Sequence, residues 1–326
     1  MPEHENKTLH PAAHAPTMRG VPRVVAITTS YRRPAQLAQL FDSLATEAPS
    51  LAGALVVDNA NDPAVEAVAG RATVPVRVLA PGRNLGCGGG VAFGLRDALR
   101  DPAVTHAWIF DDDAAATPGA LAALLVALDL AQADAAMPLV TNATGHIGWY
   151  PGPLAQPAWS IVRQAGVTPA AFRAACGDTP LRWAWAPWPS LLVSRRAIEA
   201  VGLPRDDFWF QGEDLEWTLR ITERFIGVLA PAAECRHFPP LGGLARAQLK
   251  SAAMLQNNSF TATRLPHGRR LLRHAPGNTW RFLAGARFTP KAFVLVWCAQ
   301  WRGLVRGLPA GAPGADAFRR AWERLG

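Results

Sequence analysis

The sequence predicts an α/β fold built on a layered sheet, and three observations predict it. Short β-rich runs alternate with helix-type runs through the N-terminal half. Three of those runs end in polar clusters, Thr28-Thr29-Ser30, Asp58-Asn59 and Asp111-Asp112-Asp113. No apolar stretch reaches the roughly 20 residues that span a bilayer; the best, Leu121 to Leu130, is too short and contains Asp129.

The elements follow in order. Val24 to Thr28 reads as a strand, and Pro34 opens a helix with Leu37, Leu40, Phe41 and Leu44 on one face. Ala54 to Val57 is a second strand, ended by the loop signal Asp58-Asn59-Ala60-Asn61-Asp62-Pro63. Val74 to Leu79 is a third, followed by a turn at Pro81-Gly82-Arg83-Asn84 and a helix from Gly86 to Leu99. His106 to Phe110 is a fourth strand. Thr117-Pro118 predicts a helix start, with Thr as cap and Pro in the first turn. Ala135 to Val140 and Ser190 to Val193 are further strands, and Arg195 to Val201 is a helix closed by Gly202. A helix is expected from Glu213 to Glu223, a strand from Phe225 to Leu229, and helices after Leu244. Between Thr141 and Pro189 periodicity is poor, and Trp149, Trp159, Trp183, Trp185 and Trp188 crowd together. In alternating sheets ligands bind beyond the carboxyl ends of the strands, where the polar clusters fall.

The 326 residues allow one large domain or two ordinary ones, and 49% hydrophobic with 18% charged residues excludes a disordered chain. Cys87, Cys176, Cys235 and Cys298 lie too far apart for a zinc or redox motif and read as reduced, buried thiols. Residues 1–20 read as a flexible leader. Residues 21–243 read as the main unit, alternating over 21–140 and less regular over 141–243. Residues 244–326 are helical, basic and rich in Trp and Arg. Residues 264–326 hold 12 Lys/Arg against 2 Asp/Glu, so the net +8 of the chain resides there. Such a segment favours an anionic membrane surface or nucleic acid.

Four constellations carry chemistry. Three adjacent carboxylates, Asp111-Asp112-Asp113, repel one another unless a cation intervenes. Magnesium and manganese take oxygen ligands and share them with substrate phosphates. Gly86-Cys87-Gly88-Gly89-Gly90 can bring backbone amides close to phosphate, but glycines equally permit tight helix packing. Glu213-Asp214 at a helix start can suit the helix dipole or supply a general base for a sugar hydroxyl. His237, ahead of Pro239-Pro240, can ligate a metal as neutral imidazole, which suits manganese better than magnesium.

Taken in order, these residues resemble family 2 of the inverting glycosyltransferases, whose fold is called GT-A. The resemblance runs from Val24 to Pro240. It rests on Thr-Thr-Ser-Tyr-Arg-Arg-Pro, Val-Val-Asp-Asn, Arg-Asn-Leu-Gly-Cys-Gly-Gly-Gly, Phe-Asp-Asp-Asp-Ala, Gly-Glu-Asp-Leu-Glu-Trp-Thr-Leu-Arg and a following His. The Asp-Asp-Asp-Ala run is similar to that of bacterial galactofuranosyltransferases, with rhamnosyltransferases close in pattern. The resemblance implies a Rossmann-like mixed sheet flanked by helices, and a catalytic domain at 21–243 with a nucleotide-binding half at 21–140 and an acceptor half at 141–243. It implies that Thr28, Ser30 and Arg32 line a nucleotide pocket and that Asp58 accepts from the base, most naturally uracil. Asn84, Gly89 and Asp112 would face the donor. Asp111, Asp113 and His237 would hold Mn2+ or Mg2+, Asp214 with Glu213 would serve catalysis, and Trp185 and Trp188 would form the acceptor or sugar site. The implied partners are a UDP- or dTDP-linked sugar and a glycan or polyprenyl-linked acceptor.

Two departures qualify this. The Gln-x-x-Arg-Trp signature of processive members is absent, Gln300-Trp301-Arg302 being the nearest match, so one or few sugars per encounter are expected. Glu213 stands where galactofuranosyltransferases tend to carry Asp, which leaves a rhamnosyl donor open. The basic tail is expected to contact the cytoplasmic face of the membrane, near a lipid-linked acceptor. A nucleic-acid binder would leave the acids unexplained, because acidic edges repel phosphate. A carbohydrate-binding module without catalysis would explain the tryptophans but not the acids.

Overall fold

The computed structural model describes residues 21–47, 50–153, 166–239, 244–265, 279–280, 283, 297 and 320. The expected leader and most of the basic tail lie outside the described residues.

β1 (Val24–Ser30), β2 (Leu51–Asp58) and β3 (Val76–Leu79) alternate with α1 (Pro34–Ala45), α2 (Pro63–Ala69) and α3 (Gly86–Ala98). β4 (His106–Asp111) and the short β5 (Ala114–Ala116) precede α4 (Ala120–Ala131) and β6 (Ala135–Thr141). The less periodic stretch supplies β7 (Ile147–Trp149), β8 (Gly152–Pro153), α5 (Pro169–Cys176) and β9 (Leu181–Trp185). β10 (Ser190–Ser194), α6 (Arg195–Val201), α7 (Glu213–Thr222), β11 (Gly227–His237) and α8 (Leu244–Arg264) complete the described elements.

Among the described residues these strands form one sheet ordered β3-β2-β1-β4-β10-β6-β11-β9-β8. β3, β2, β1 and β4 run parallel, β10 runs antiparallel between β4 and β6, and β11 is parallel to β6. The expected mixed α/β sheet is thus present. Its centre is apolar: Ile27, Trp108, Ile109, Leu191 and Leu192 are at most 1% exposed. Each such side chain contributes about 1.5–3 kcal/mol by leaving water. Trp108 also donates through Nε1 to the Ser190 hydroxyl at 2.9 Å, so its polar atom is satisfied inside the core. On α1, Leu37, Leu40, Phe41 and Leu44 are the buried face, as their spacing predicts.

Two local expectations change. The helix expected from Thr117-Pro118 begins at Ala120, with Gly119 as N-cap at φ 84°. Its cap is distant in sequence: the buried Glu47 carboxylate accepts from the Gly119 and Leu121 amides at 2.9 and 3.0 Å. Thr117 instead donates to the Glu234 carbonyl at 2.9 Å, tying the turn to β11. The strand expected over Phe225 to Leu229 is offset and much longer, Gly227–His237, because it pairs with β6, β9 and β5 in turn.

Candidate active site

Pairing register assembles the site. In the parallel ladders Ser30 sits opposite Asp58, and Thr29 opposite Asp111. The polar ends of β1, β2 and β4 therefore share one edge, as the sequence predicts. β4 ends at Asp111, the chain turns through Asp112 and Asp113, and β5 then pairs antiparallel with β11. That pairing sets His237 opposite Ala114, and the Phe238 amide donates to the Asp113 carbonyl at 2.9 Å. Residues over a hundred positions apart become neighbours through one short ladder.

The outcome is a cleft of about 780 Å³. Ser30, Arg32, Arg33, Asn59, Asn84, Asp111 to Asp113, Trp149, Trp185, Trp188, Glu213, Asp214 and His237 all contribute to its wall. Ligand atoms of Asp111, Asp113 and His237 lie within 4.8 Å of one another. His237 Nε2 is 2.8 Å from Asp113 Oδ1 and 3.4 Å from Asp111 Oδ2. Asp113 and His237 are buried, whereas Asp111 keeps 30% side-chain exposure toward solvent. The Trp149 ring packs on the imidazole at 4.3 Å between centroids and fixes its plane.

The electrostatics describe a place prepared for positive charge. Burial opposes the His237 cation, but the Asp113 hydrogen bond and the fields of Asp111, Asp113 and Asp112 prevail and raise its pKa. Burial likewise opposes the Asp113 carboxylate, yet His237 and Arg33 hold it below the ordinary value. Two oxygens and one imidazole nitrogen facing one another suit a divalent cation such as Mn2+. Ligation needs the neutral imidazole, so binding must displace the His237 proton. Mn2+ affinity is therefore expected to fall as pH drops through the raised His237 pKa, with about one proton released per ion. Calorimetry at acid and alkaline pH checks this; equal affinity at both would remove His237 from the ligand set.

Arg33 was not anticipated from the sequence. Its Nη1 donates to Asp112 Oδ1 at 2.8 Å and Asp113 Oδ2 at 2.9 Å. Burial works against the guanidinium, but the two carboxylates outweigh it and raise its pKa. Asp112 is held from the other side by the Ser30 hydroxyl at 2.9 Å, and burial pushes its carboxyl up to about 6. Both Asp112 oxygens thus already accept within the protein, while the residue also forms part of the cleft wall. Removing Arg33 leaves Asp113 with His237 alone and Asp112 with only the uncharged Ser30 hydroxyl. Arg33→Met is expected to cost about 3 kcal/mol in urea unfolding, the low end for a broken buried pair because the side chain keeps 27% exposure. Added Mn2+ should restore part of that loss, and unchanged stability would contradict this reading.

Other expected residues fall as follows. Thr28 is 2% exposed and outside the cleft wall, where its neighbours Thr29 and Ser30 stand. Asp58 is also outside it, for a local reason. Its two oxygens accept from the Ala60 and Asp62 amides at 2.9 and 2.6 Å and close its own loop. Asn59, next to it, reaches the wall and clamps the glycine turn, accepting from Leu85 and donating to the Gly86 carbonyl, both at 3.0 Å. Asn84 lines the cleft while accepting from the Gly86 amide at 2.9 Å. Gly89 lies away from the cleft, facing Leu85 and Asp206. The first amides of α3 are not free for phosphate: Cys87 and Gly88 donate to the Trp209 carbonyl at 2.7 and 3.3 Å. The glycines serve clearance, since a Cβ at Gly90 would come within 2.5 Å of Thr29 Cγ2.

Glu213 and Asp214 open α7, and both contribute to the cleft wall. Glu213 is 4% exposed and shares a hydrogen bond with the Cys87 thiol. Burial, then the charge of Asp214, drives its pKa well up. Asp214 lines the cleft and accepts from the Leu215 amide at 2.8 Å. Burial, then the field of Asp111, pushes its carboxyl up to about 7. Trp188 is 2% exposed and meets Trp217 edge-on at 6.0 Å, while Trp185 presents more of its ring.

Comparison with known proteins agrees with this geometry. The model of glycosyl transferase family 2 matches residues 25–178. The galactofuranosyltransferase GlfT1 of Mycolicibacterium smegmatis is 37% identical over 90 residues, 28% of this chain and 30% of that relative. The matched stretch thus spans less than a third of that relative's length. S. aureus TarS 1-349, solved in complex with UDP-GlcNAc, superposes with a TM-score of 0.58 at 13% identity, covering 92% of this chain and 90% of that one. The mannosyltransferase PcManGT from Pyrobaculum calidifontis, solved with GDP-Man and Mn2+, gives 0.56 at 15% identity, covering 95% and 89%. At those identities the two structures speak for the fold. Residues 25–178 are thus similar to glycosyl transferase family 2, and the fold is of the GT-A type.

Proposed function

We propose that this protein is a metal-dependent inverting glycosyltransferase that moves galactofuranose from UDP-galactofuranose to a hydroxyl of a glycan or lipid-linked acceptor. One observation carries the reading: Asp214, a carboxyl poised near neutrality, faces the same cleft as the Asp111, Asp113 and His237 cluster. The likeness to a galactofuranosyltransferase supports the choice of donor.

When bound by Asp111, Asp113 and His237, a divalent cation supplies positive charge for the departing diphosphate. The protein's own residues do the rest. Asp214 takes the proton of the acceptor hydroxyl as its oxygen attacks the anomeric carbon. The bond from that carbon to the diphosphate breaks, and its electron pair leaves with UDP. A single displacement inverts the configuration. The base role is assigned to Asp214 rather than Glu213, because Glu213 is 4% exposed and tied to the Cys87 thiol. Trp185 offers an apolar face to a sugar ring, and the buried Trp188 contributes to the cleft wall. Arg33 and Ser30 hold the acid run in place while charge moves.

The basic 264–326 segment supports an acceptor presented at an anionic, cytoplasm-facing membrane. No described helix is long and apolar enough to cross a membrane. Vesicles containing phosphatidylserine should therefore retain the protein at low salt. The donor is tested by following nucleotide release with Mn2+ present, from UDP-galactofuranose and from dTDP-rhamnose. Acceptor-dependent UDP release is expected. Release from dTDP-rhamnose alone would replace the donor, and release from neither would overturn the reading.

A further inference from the structure

The loop that delivers Asp214 has an unusual backbone. Trp209 and Gln211 both occupy the left-handed region, at φ 50° and 67°, and Gly212 follows at 94°. Residues bearing a Cβ disfavour that region, so the surroundings must fix the loop. α3 takes one carbonyl, through the Cys87 and Gly88 amides on Trp209. One side chain reaches the other three, although the Phe208 carbonyl also accepts from the Phe210 amide at 2.5 Å. Asn257 of α8 donates through Nδ2 to the carbonyls of Phe208 at 3.2 Å, Phe210 at 3.3 Å and Gln211 at 2.8 Å.

Asn257 is 1% exposed, and three surrounding carbonyls require its nitrogen, not its oxygen, to face them. Four successive loop carbonyls, 208 to 211, are therefore engaged. The next residue of α8 presses on the loop's end: a Cβ at Gly212 would lie 2.9 Å from Asn258 Oδ1. Gly212 is the N-cap of α7, and the Asp214 carboxylate is anchored by the Leu215 amide in that helix's first turn. Whatever sets the loop sets the carboxylate. α8 lies beyond residue 178, where the family match ends.

We propose that Asn257 is a positioning residue for the transfer reaction. By clamping the carbonyls of Phe208, Phe210 and Gln211, it aims the Asp214 carboxylate into the cleft. The assignment rests on Asp214 acting as base. A small misplacement of a catalytic group is costly, so the effect should appear in turnover and not in donor binding.

The test compares Asn257→Ala and Asn257→Asp with the wild type and with Ser259→Ala, whose hydroxyl donates to the Leu255 carbonyl of its own helix. Turnover should fall about tenfold or more in both Asn257 variants. Asn257→Asp should suffer more, because a carboxylate would face three carbonyls. Donor KM and Mn2+-dependent UDP binding should stay within about twofold, and the acid limb of the rate–pH profile should move. Ser259→Ala should behave as wild type. Unchanged turnover in the Asn257 variants would overturn the proposal. So would turnover lost in step with UDP binding, or an equal loss in Ser259→Ala. If the wild type itself transferred no sugar, the proposed function would fail first. Hydrogen exchange over residues 208–214 would then decide the clamp: faster exchange in Asn257→Ala sustains it, and unchanged exchange removes it.

Discussion

Asp214→Asn is expected to lower turnover about 10²–10⁴-fold while leaving Mn2+-dependent UDP binding within about twofold. The amide keeps the size of the carboxylate and much of its hydrogen bonding, including acceptance from the Leu215 amide. It cannot take the acceptor's proton. The wild-type rate should fall on acidification through about pH 7, because burial and the field of Asp111 hold the carboxyl protonated below that point. The direction is set by the base role: only the ionised form accepts a proton, so activity is present above the pKa and lost below it. A bound divalent cation near Asp111 would oppose that field, so the acid limb should shift to lower pH as Mn2+ is raised. Initial rates across pH at two metal concentrations check this. Near-normal turnover in Asp214→Asn would end the base assignment.

Asp113→Ala should have the second-largest effect, a loss of metal-dependent turnover of at least about 100-fold. Asp113 does more than offer one oxygen. Its carboxylate meets His237 at 2.8 Å and Arg33 at 2.9 Å. Removing it deletes a ligand, frees His237 from the partner that holds its Nε2 inward, and leaves Arg33 with Asp112 alone. Asp111→Ala should cost less in stability, since Asp111 keeps 30% side-chain exposure, but should still weaken the metal. Metal titrations of the two variants beside thermal unfolding would separate ligation from packing. Full metal-dependent rates in Asp113→Ala would contradict the assignment.

The sheet and its functional edge were largely legible from sequence. Alternating runs mark β1, β2, β4 and α1, and Ser30, Asp58 and Asp111 end strands that prove adjacent and in register. What a run's end does was less legible. Asp58 and Asn59 look interchangeable in sequence, yet Asp58 closes its own loop while Asn59 reaches the cleft wall. That choice depends on backbone direction after the strand, which composition does not encode. The glycine run was ambiguous for the same reason: its amides meet Trp209, a residue over a hundred positions away. Arg33, the Glu47 cap and Asn257 escaped notice because each acts through a long-range contact. No period or motif announces such a partner. A basic residue in the turn after β1, facing three acids after β4, was the one visible hint for Arg33.

The account turns on a cleft that holds a nucleoside diphosphate through a metal at Asp111, Asp113 and His237. Calorimetric titration of UDP, with and without Mn2+, tests that most directly. UDP should bind with Mn2+ present and lose at least about 100-fold in affinity when the metal is chelated. Equal binding with and without metal, or no binding in either case, would contradict it.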